Sequence, residues 1–287
     1  MKKILTAAAM LVTMSGVALA ADLPSRAAPP VYAPPPVPVF TWSGAYFGIN
    51  AGYAFDNKDR FRGLNGNIAA ANSGVGTTRP ALVSSNSDGF TGGGQIGYNY
   101  QIGGMGGFGG FGLGGAALVI GVEADAAYTD LTHTRTVDGV NTAGALIPNT
   151  YRSNLDFLGT VRGRVGLAFN QFMIYGTGGF AYGGVHDAVT YSNANGSARY
   201  FGNRDRIETG YAYGGGVEYA LPTSSFLNFF KSSAVTLKVE YLRYDLGNRD
   251  INLTAVAGGG GRGIYVSRLN TEGNIVRAGL NYKFGSN

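Results

Sequence analysis

"FLGTVRGRVGLAF", residues 157–169, is apolar apart from one threonine and two arginines. Phe157, Gly159, Val161, Gly163, Val165, Leu167 and Phe169 hold every second position, while Arg162 and Arg164 lie in the other register. A strand points successive side chains to opposite faces. One face of this strand is therefore continuously apolar, and the other must accept two guanidinium groups. A soluble barrel buries its apolar face and wets its polar one. A transmembrane barrel does the reverse, with lipid outside and a polar interior.

The same parity recurs along the chain. In "LVIGVEADAAY", Ile120, Val122 and Ala124 share one face while Glu123 and Asp125 share the other. Tyr213, Val217 and Tyr219 oppose Glu218; Leu237, Val239 and Tyr241 oppose Lys238 and Glu240. Val276, Ala278, Leu280, Tyr282 and Phe284 oppose Arg277, Asn281 and Lys283. Every mid-strand charge in these runs takes the non-lipid register. An arginine facing lipid at the bilayer midplane costs roughly 2–4 kcal/mol, which is physical cause enough for the segregation.

Composition points the same way. Charged residues are 14% of 287, with 48 Gly, 18 Tyr and 16 Phe. A soluble domain carries nearer a quarter charged residues. After residue 20 no stretch has the ~20 uninterrupted apolar residues of a spanning helix. Lys2 and Lys3, the apolar "ILTAAAMLVTMSGV" and the small-x-small "ALA" at 18–20 form a secretory signal, predicted to be cut between Ala20 and Ala21. Its removal leaves 20 basic against 17 acidic residues, a net charge of +3 that argues for no nucleic-acid partner. With no Cys there is neither a disulfide framework nor thiol chemistry. Seven of the 10 Pro lie between Pro24 and Pro38, so residues 21–40 read as an extended linker arm and 41–287 as one folded domain.

Eight alternating runs are predicted as strands: Trp42–Phe55, Phe90–Gln101, Leu118–Tyr128, Asp156–Phe169, Phe172–Gly183, Glu208–Tyr219, Val235–Leu246 and Asn274–Phe284. Segments 56–89, 129–155, 184–207 and 247–273 are long and polar and read as loops. They alternate with 102–117, the two-residue "NQ" at 170–171, and 220–234. Long outer loops, short periplasmic turns and an even strand number describe an eight-stranded antiparallel transmembrane barrel with both termini in the periplasm. The G-x-G-x-x-G matches at 92–97 and within 102–117 open no helix in a βαβ unit and are products of composition.

An eight-stranded interior is about wide enough for side chains. Glu123, Asp125, Glu218 and Glu240 against Arg162, Arg164, Lys238, Arg277 and Lys283 are expected to pair there as a plug. The alternative is a narrow path for ions and small solutes. Trp42, Tyr98, Tyr100, Tyr219, Tyr282 and Phe284 are expected at the periplasmic membrane interface, with Tyr53, Phe55, Tyr128 and Tyr211 at the outer one. Arg60, Arg62, Arg79, Arg199, Arg204 and Arg206 fall in the predicted loops and suit lipopolysaccharide phosphates, though solvated loop charge reads equally well. His133, His186 and Tyr191 are the loop groups able to ligate iron. No enzyme motif surrounds either histidine, and no catalytic residue, cofactor or metal site is assigned.

"GAYFGINAGY", "GGGQIGYNY", "VIGVEADAAY", "TVRGRVGLAF", "IYGTGGFAYGG", "GGGVEYAL", "LKVEYLRYDLG" and "VRAGLNYKF" resemble, in order, the strands of the alphaproteobacterial small outer-membrane β-barrel family, the RopB-like major surface proteins. The resemblance spans about residues 42–284, and the signal peptide followed by "ADLP" is similar too. It implies a non-catalytic barrel in the outer membrane that maintains the envelope and presents surface loops. Outer-membrane lipid, lipopolysaccharide and the assembly machinery that reads a terminal aromatic such as Phe284 are the implied partners. Some members of the family are called porins and some bind haemin; no catalytic residues carry over.

Overall fold

The computed structural model describes residues 40–64, 78–102, 116–222, 224, 225, 228, 235–258 and 263–284. The signal peptide with its Ala20–Ala21 cleavage point, the Pro-rich arm up to residue 39, and most of segments 102–117 and 220–234 lie outside the described residues. Within them, strands β1 (Gly44–Leu64), β2 (Leu82–Ile102), β3 (Ala117–Val140), β4 (Leu146–Phe169), β5 (Phe172–Ser192), β6 (Ala198–Ala220), β7 (Val235–Ala255) and β8 (Ile264–Lys283) form a closed antiparallel barrel in chain order. Every alternating run falls on its own strand, with Trp42 and Ser43 just ahead of β1 and Phe284 just past β8.

The outward residues of the lower part are large and apolar. Ile49, Ile96, Val122, Val161, Val165, Ile174 and Val276 are all exposed, flanked by Tyr98, Tyr100, Tyr219 and Phe284 below and by Tyr53, Tyr128 and Tyr211 above. Asn170 closes the tight β4–β5 turn at a φ of 53°, a left-handed conformation that asparagine tolerates better than most residues.

The expected long loops are a correction. The strands run 20–24 residues, and the polar segments are mostly their continuations. Only 141–145, 193–197 and 256–263 connect the strands around the former 129–155, 184–207 and 247–273. In the former 56–89, β1 runs on to Leu64 and β2 begins at Leu82. At ~3.3 Å per residue and a tilt near 40°, such strands are roughly 50–60 Å tall against an apolar band of about 25 Å. The barrel stands well clear of any membrane it crosses.

A tier of β-bulges marks where it leaves. Register shifts fall between Ala54 and Asn57, Tyr128 and Leu131, Leu155 and Phe157, and Asp245 and Asn248. Each extra residue bends and twists its strand. Beyond this level the wall divides. The β2–β3 ladder stops at Thr91–Thr129, and β6–β7 pairing lapses between Tyr211–Asp245 and Phe201–Thr254. The other six seams continue outward, as at Leu64–Val266 and Asn149–Tyr191. The protruding half is therefore two four-stranded groups, β7-β8-β1-β2 and β3-β4-β5-β6, facing one another and rejoined at the outer end where Tyr200 and Phe201 pair with Ala255 and Thr254. Phe61, Val83, Ile251, Leu253, Tyr265 and Leu269 from the first meet Tyr151, Val189, Tyr191 and Tyr200 from the second. An arginine bridges each open seam to a main-chain carbonyl: Arg135 donates to Ser84 O at 2.5 Å and Arg204 to Asp250 O at 3.3 Å.

Candidate functional site

The interior is built in tiers. At the periplasmic mouth, Trp42 packs with Val119, Ala168, Met173 and Tyr175. Its indole N–H donates to Asn170 O at 3.0 Å, and Phe40 meets it edge-on at 5.0 Å. Trp42 thus leaves the set of interface aromatics, being only 1% exposed. It lies ahead of β1, where the chain crosses the barrel mouth, so strand parity does not decide its direction. Tyr98, Tyr100, Tyr219 and Phe284 stay on the outside, and Tyr282 lies between Phe47 and Phe284 on that face.

Above this mouth lies the charged tier. Arg162 reaches Glu123 at 2.7 Å, Asp125 at 2.9 Å and Glu240 at 2.9 Å. Arg277 binds Asp125 at 2.9 Å and Glu240 at 3.2 Å; Lys238 binds Glu123 at 2.8 Å. Arg164 holds Glu218 at 2.7 Å and lies 3.9 Å over the Tyr175 ring. Glu218 also accepts from Thr236 at 2.5 Å and Asn281 at 2.9 Å, and Tyr46 donates to Glu123 at 2.7 Å. Four carboxylates thus face four cations with their remaining lone pairs largely taken, the condition under which buried charges are tolerated. Glycine makes room for this: a Cβ at Gly97 would strike the Tyr46 ring, and one at Gly216 the Tyr175 ring.

Lys283 is interior but stands apart from this cluster. It donates to Thr41 O at 2.5 Å and lies over the Phe40 and Trp42 rings at 4.8 and 5.6 Å. The segment that places Trp42 in the mouth also takes up its ammonium.

Next comes an apolar tier of Leu131, Leu155, Leu158, Val185, Leu242, Tyr244, Leu246 and Ile275. Sequence reasoning missed the polar tier beyond it, where Arg249 pairs with Asp187 at 2.5 Å, Ser153 donates to Asp187 at 2.7 Å and Thr271 donates to Asp59 at 2.6 Å. Burial holds the Asp59 carboxyl above its ordinary range, against the Thr271 hydroxyl, which favours ionisation. The continued alternation in "VHDAVT" was the available signal.

At the outer end, Arg79 inserts from the β1–β2 connection. Its guanidinium lies 4.4 Å from the Tyr265 ring and 5.3 Å from those of Tyr191 and Tyr200. Asn149 donates to the carbonyl of neighbouring Thr78 at 3.0 Å and Thr78 donates to Val140 O at 3.4 Å, tying this connection to the opposite sheet. Arg79 is therefore buried rather than offered to an outside anion. Arg204 pairs with Glu208 at 2.8 Å, whereas Arg60 and Arg62 stay on the outer face.

The iron-ligand set does not assemble. Tyr191 is buried in the aromatic tier. His133 pairs in register with inward Ser153, while exposed His186 lies on the outer face between Asp156 at 2.8 Å and Asp205 at 3.0 Å. The Asp205 hydrogen bond, with Asp156 behind it, raises the His186 pKa. Among the described residues no group of three or more His, Cys, Asp or Glu is placed to hold a metal ion.

No protein-family profile matches the chain. The 31 kDa outer-membrane immunogenic protein of Brucella melitensis is 34% identical over 299 residues, across 99% of this chain and 100% of that protein. This chain belongs to its family. The family is one of alphaproteobacterial small outer-membrane β-barrel proteins, and the chain resides in the outer membrane, its apolar band facing lipid. The 22 kDa outer membrane protein of Rhizobium leguminosarum is 29% identical over 213 residues, 74% of this chain and 75% of that one. Among solved structures, the outer membrane protein OprG of Pseudomonas aeruginosa aligns with a TM-score of 0.48 at 15% identity, over 85% of this chain and 98% of that one.

Proposed function

We propose that this protein is a non-conducting, non-catalytic barrel that reinforces the outer membrane and carries hairpin tips outside the cell. The observation behind this reading is that the interior charges are dry. A water-filled lumen leaves its lining exposed, yet the side chains of Arg162, Lys238 and Glu240 are 0% exposed. Trp42 and Arg79 fill the two mouths, which also argues against a porin. Against Ser- or Thr-nucleophile hydrolysis, no Ser or Thr hydroxyl bonds either histidine among the described residues, and the Asp156–His186–Asp205 group lies exposed on the outer face. The word "immunogenic" in the names of the Brucella relatives supports exposure of the tips.

Conductance of the refolded, heat-modifiable protein in a planar lipid bilayer tests the reading. A silent bilayer is expected. Stable, reproducible steps would overturn it and turn Arg162, Arg164, Glu123 and Glu240 into selectivity residues. In cells, deletion is expected to sensitise the envelope to detergent without removing uptake of any one nutrient.

A further inference from the structure

Outside the bulges, the outer face of β7-β8-β1-β2 carries an unbalanced group of arginines. Arg62 on β1 stands directly across from Arg268 on β8, and Arg60 follows two residues along the same face. Like charges directly opposed on a sheet repel. Neighbouring carboxylates answer only part of this. Arg268 forks onto Asp250 at 2.7 and 2.9 Å, and Arg60 reaches Glu272 at 2.8 Å. Glu272 is shared with Arg243, also at 2.8 Å. Arg62 has no ion pair among the described residues, although it is exposed. The three guanidinium groups border a groove of about 500 Å³ that Asn248, Asn270 and the carboxylates of Glu272 and Asp245 also line, the Asp245 oxygens already accepting from Asn270, Gly247 N–H and Tyr211.

A guanidinium fork matches the oxygens of phosphate and carboxylate groups, so a groove with one uncommitted arginine between two partly committed ones suits an oxyanion. Height above the membrane selects its source. Arg60 and Arg62 lie seven and nine residues beyond Tyr53 of the outer aromatic girdle. Less the one extra residue of the β1 bulge, and at a rise of ~2.5 Å per tilted residue, that is about 15–20 Å outside it. Phospholipid headgroups occupy only the first ~5–8 Å beyond the hydrocarbon. An oxyanion at this height in the outer leaflet is attached to saccharide. We propose that the Arg60–Arg62–Arg268 groove binds an anionic group, phosphate or sugar carboxylate, of the lipopolysaccharide saccharide. The assignment stands independently of whether the barrel conducts.

The test uses the folded protein in detergent micelles and follows the temperature at which the heat-modifiable band unfolds. Purified lipopolysaccharide at low salt is expected to raise that temperature by several degrees, and 0.5 M salt to shrink the gain by screening. The double substitution Arg62→Gln with Arg268→Gln should remove most of the gain and weaken binding by roughly tenfold or more, as for loss of a charge-assisted hydrogen bond. Arg152→Gln, on the outer face of the other sheet, changes the net charge by one and should leave the gain intact. Trp42 emission reports that each variant is folded. No gain in the wild type, or an equal gain in the double variant, would overturn the assignment. So would an equal gain with phosphatidylglycerol or inorganic phosphate at the same anion concentration, because the saccharide would then not be the ligand.

Discussion

Below the bulges the interior holds eight charges in mutual contact; above them, among the described residues, it holds tyrosines, branched aliphatics, the Asp187–Arg249 pair, Asp59 and the ring-stacked Arg79. The two halves face different solvents. In the membrane the outer wall is already apolar, and a polar interior gives every strand an alternation that lipid enforces. In the protruding half the outer wall meets water, so an apolar filling between two sheets supplies the ordinary hydrophobic drive. One chain thus solves the membrane problem and the soluble sandwich problem in sequence, with the bulges as the changeover.

The largest effect should come from breaking the lower half. Arg162→Met leaves Glu123, Asp125 and Glu240 with one cation fewer, and an uncompensated buried charge costs about 3–5 kcal/mol. The urea midpoint of Trp42 emission should fall accordingly; an unchanged midpoint would mean that water reaches the tier. Tyr151→Ala attacks the upper half instead. Loss of a large buried ring costs roughly 3–5 kcal/mol, here confined to the protruding sheets. Proteases should cut between residues 129 and 155 while the Trp42 signal and the heat-modifiable band persist. Loss of the Trp42 signal and the band together with the cut would mean that the halves fold as one unit.

The smallest effect should be that of Asp59→Asn, and its sign distinguishes the halves. A carboxyl whose folded pKa lies above its unfolded one contributes stability while protonated. That contribution is full below the ordinary carboxylate range and is lost as pH rises through the folded value. Asparagine keeps the neutral shape, so the variant should gain ~0.5–2 kcal/mol near neutral pH and lose this pH dependence. Destabilisation near neutral pH would show that Asp59 works as an anion, as the lower carboxylates do.

Much of the lower half was legible in the sequence because lipid leaves no ambiguity. Arg162 and Arg164 can go only one way when Val161 and Val165 face hydrocarbon. The upper half was hidden by loss of phase. Inward positions on β1 are even up to Ala54 and odd from Asn57 to Phe61; β4 and β7 switch likewise at their bulges. Strict alternation ends there, and a polar outward register with shifted parity reads as loop. Trp42 and Lys283 were misplaced for another reason. Their partners, Asn170 O and Thr41 O, are main-chain groups at the mouth that no side-chain pattern announces.

The two tight tips, "NTAGA" at 141–145 and "NANGS" at 193–197, share one design. In each, the first Asn and the fifth residue close the loop by a main-chain hydrogen bond, at 3.0 and 2.8 Å, and the Gly between them takes a φ of 77° or 81°. Nothing lies within 4 Å of a Cβ placed on Gly144 or Gly196. Each tip is the summit of a hairpin rooted in the bilayer, its two strands paired up to the tip. A foreign peptide spliced in at Gly144 or Gly196 would be carried roughly 25–35 Å above the cell surface on a mast the bacterium already assembles, so the same strand extensions that carry the tips make the protein a scaffold for displaying sequences of choice.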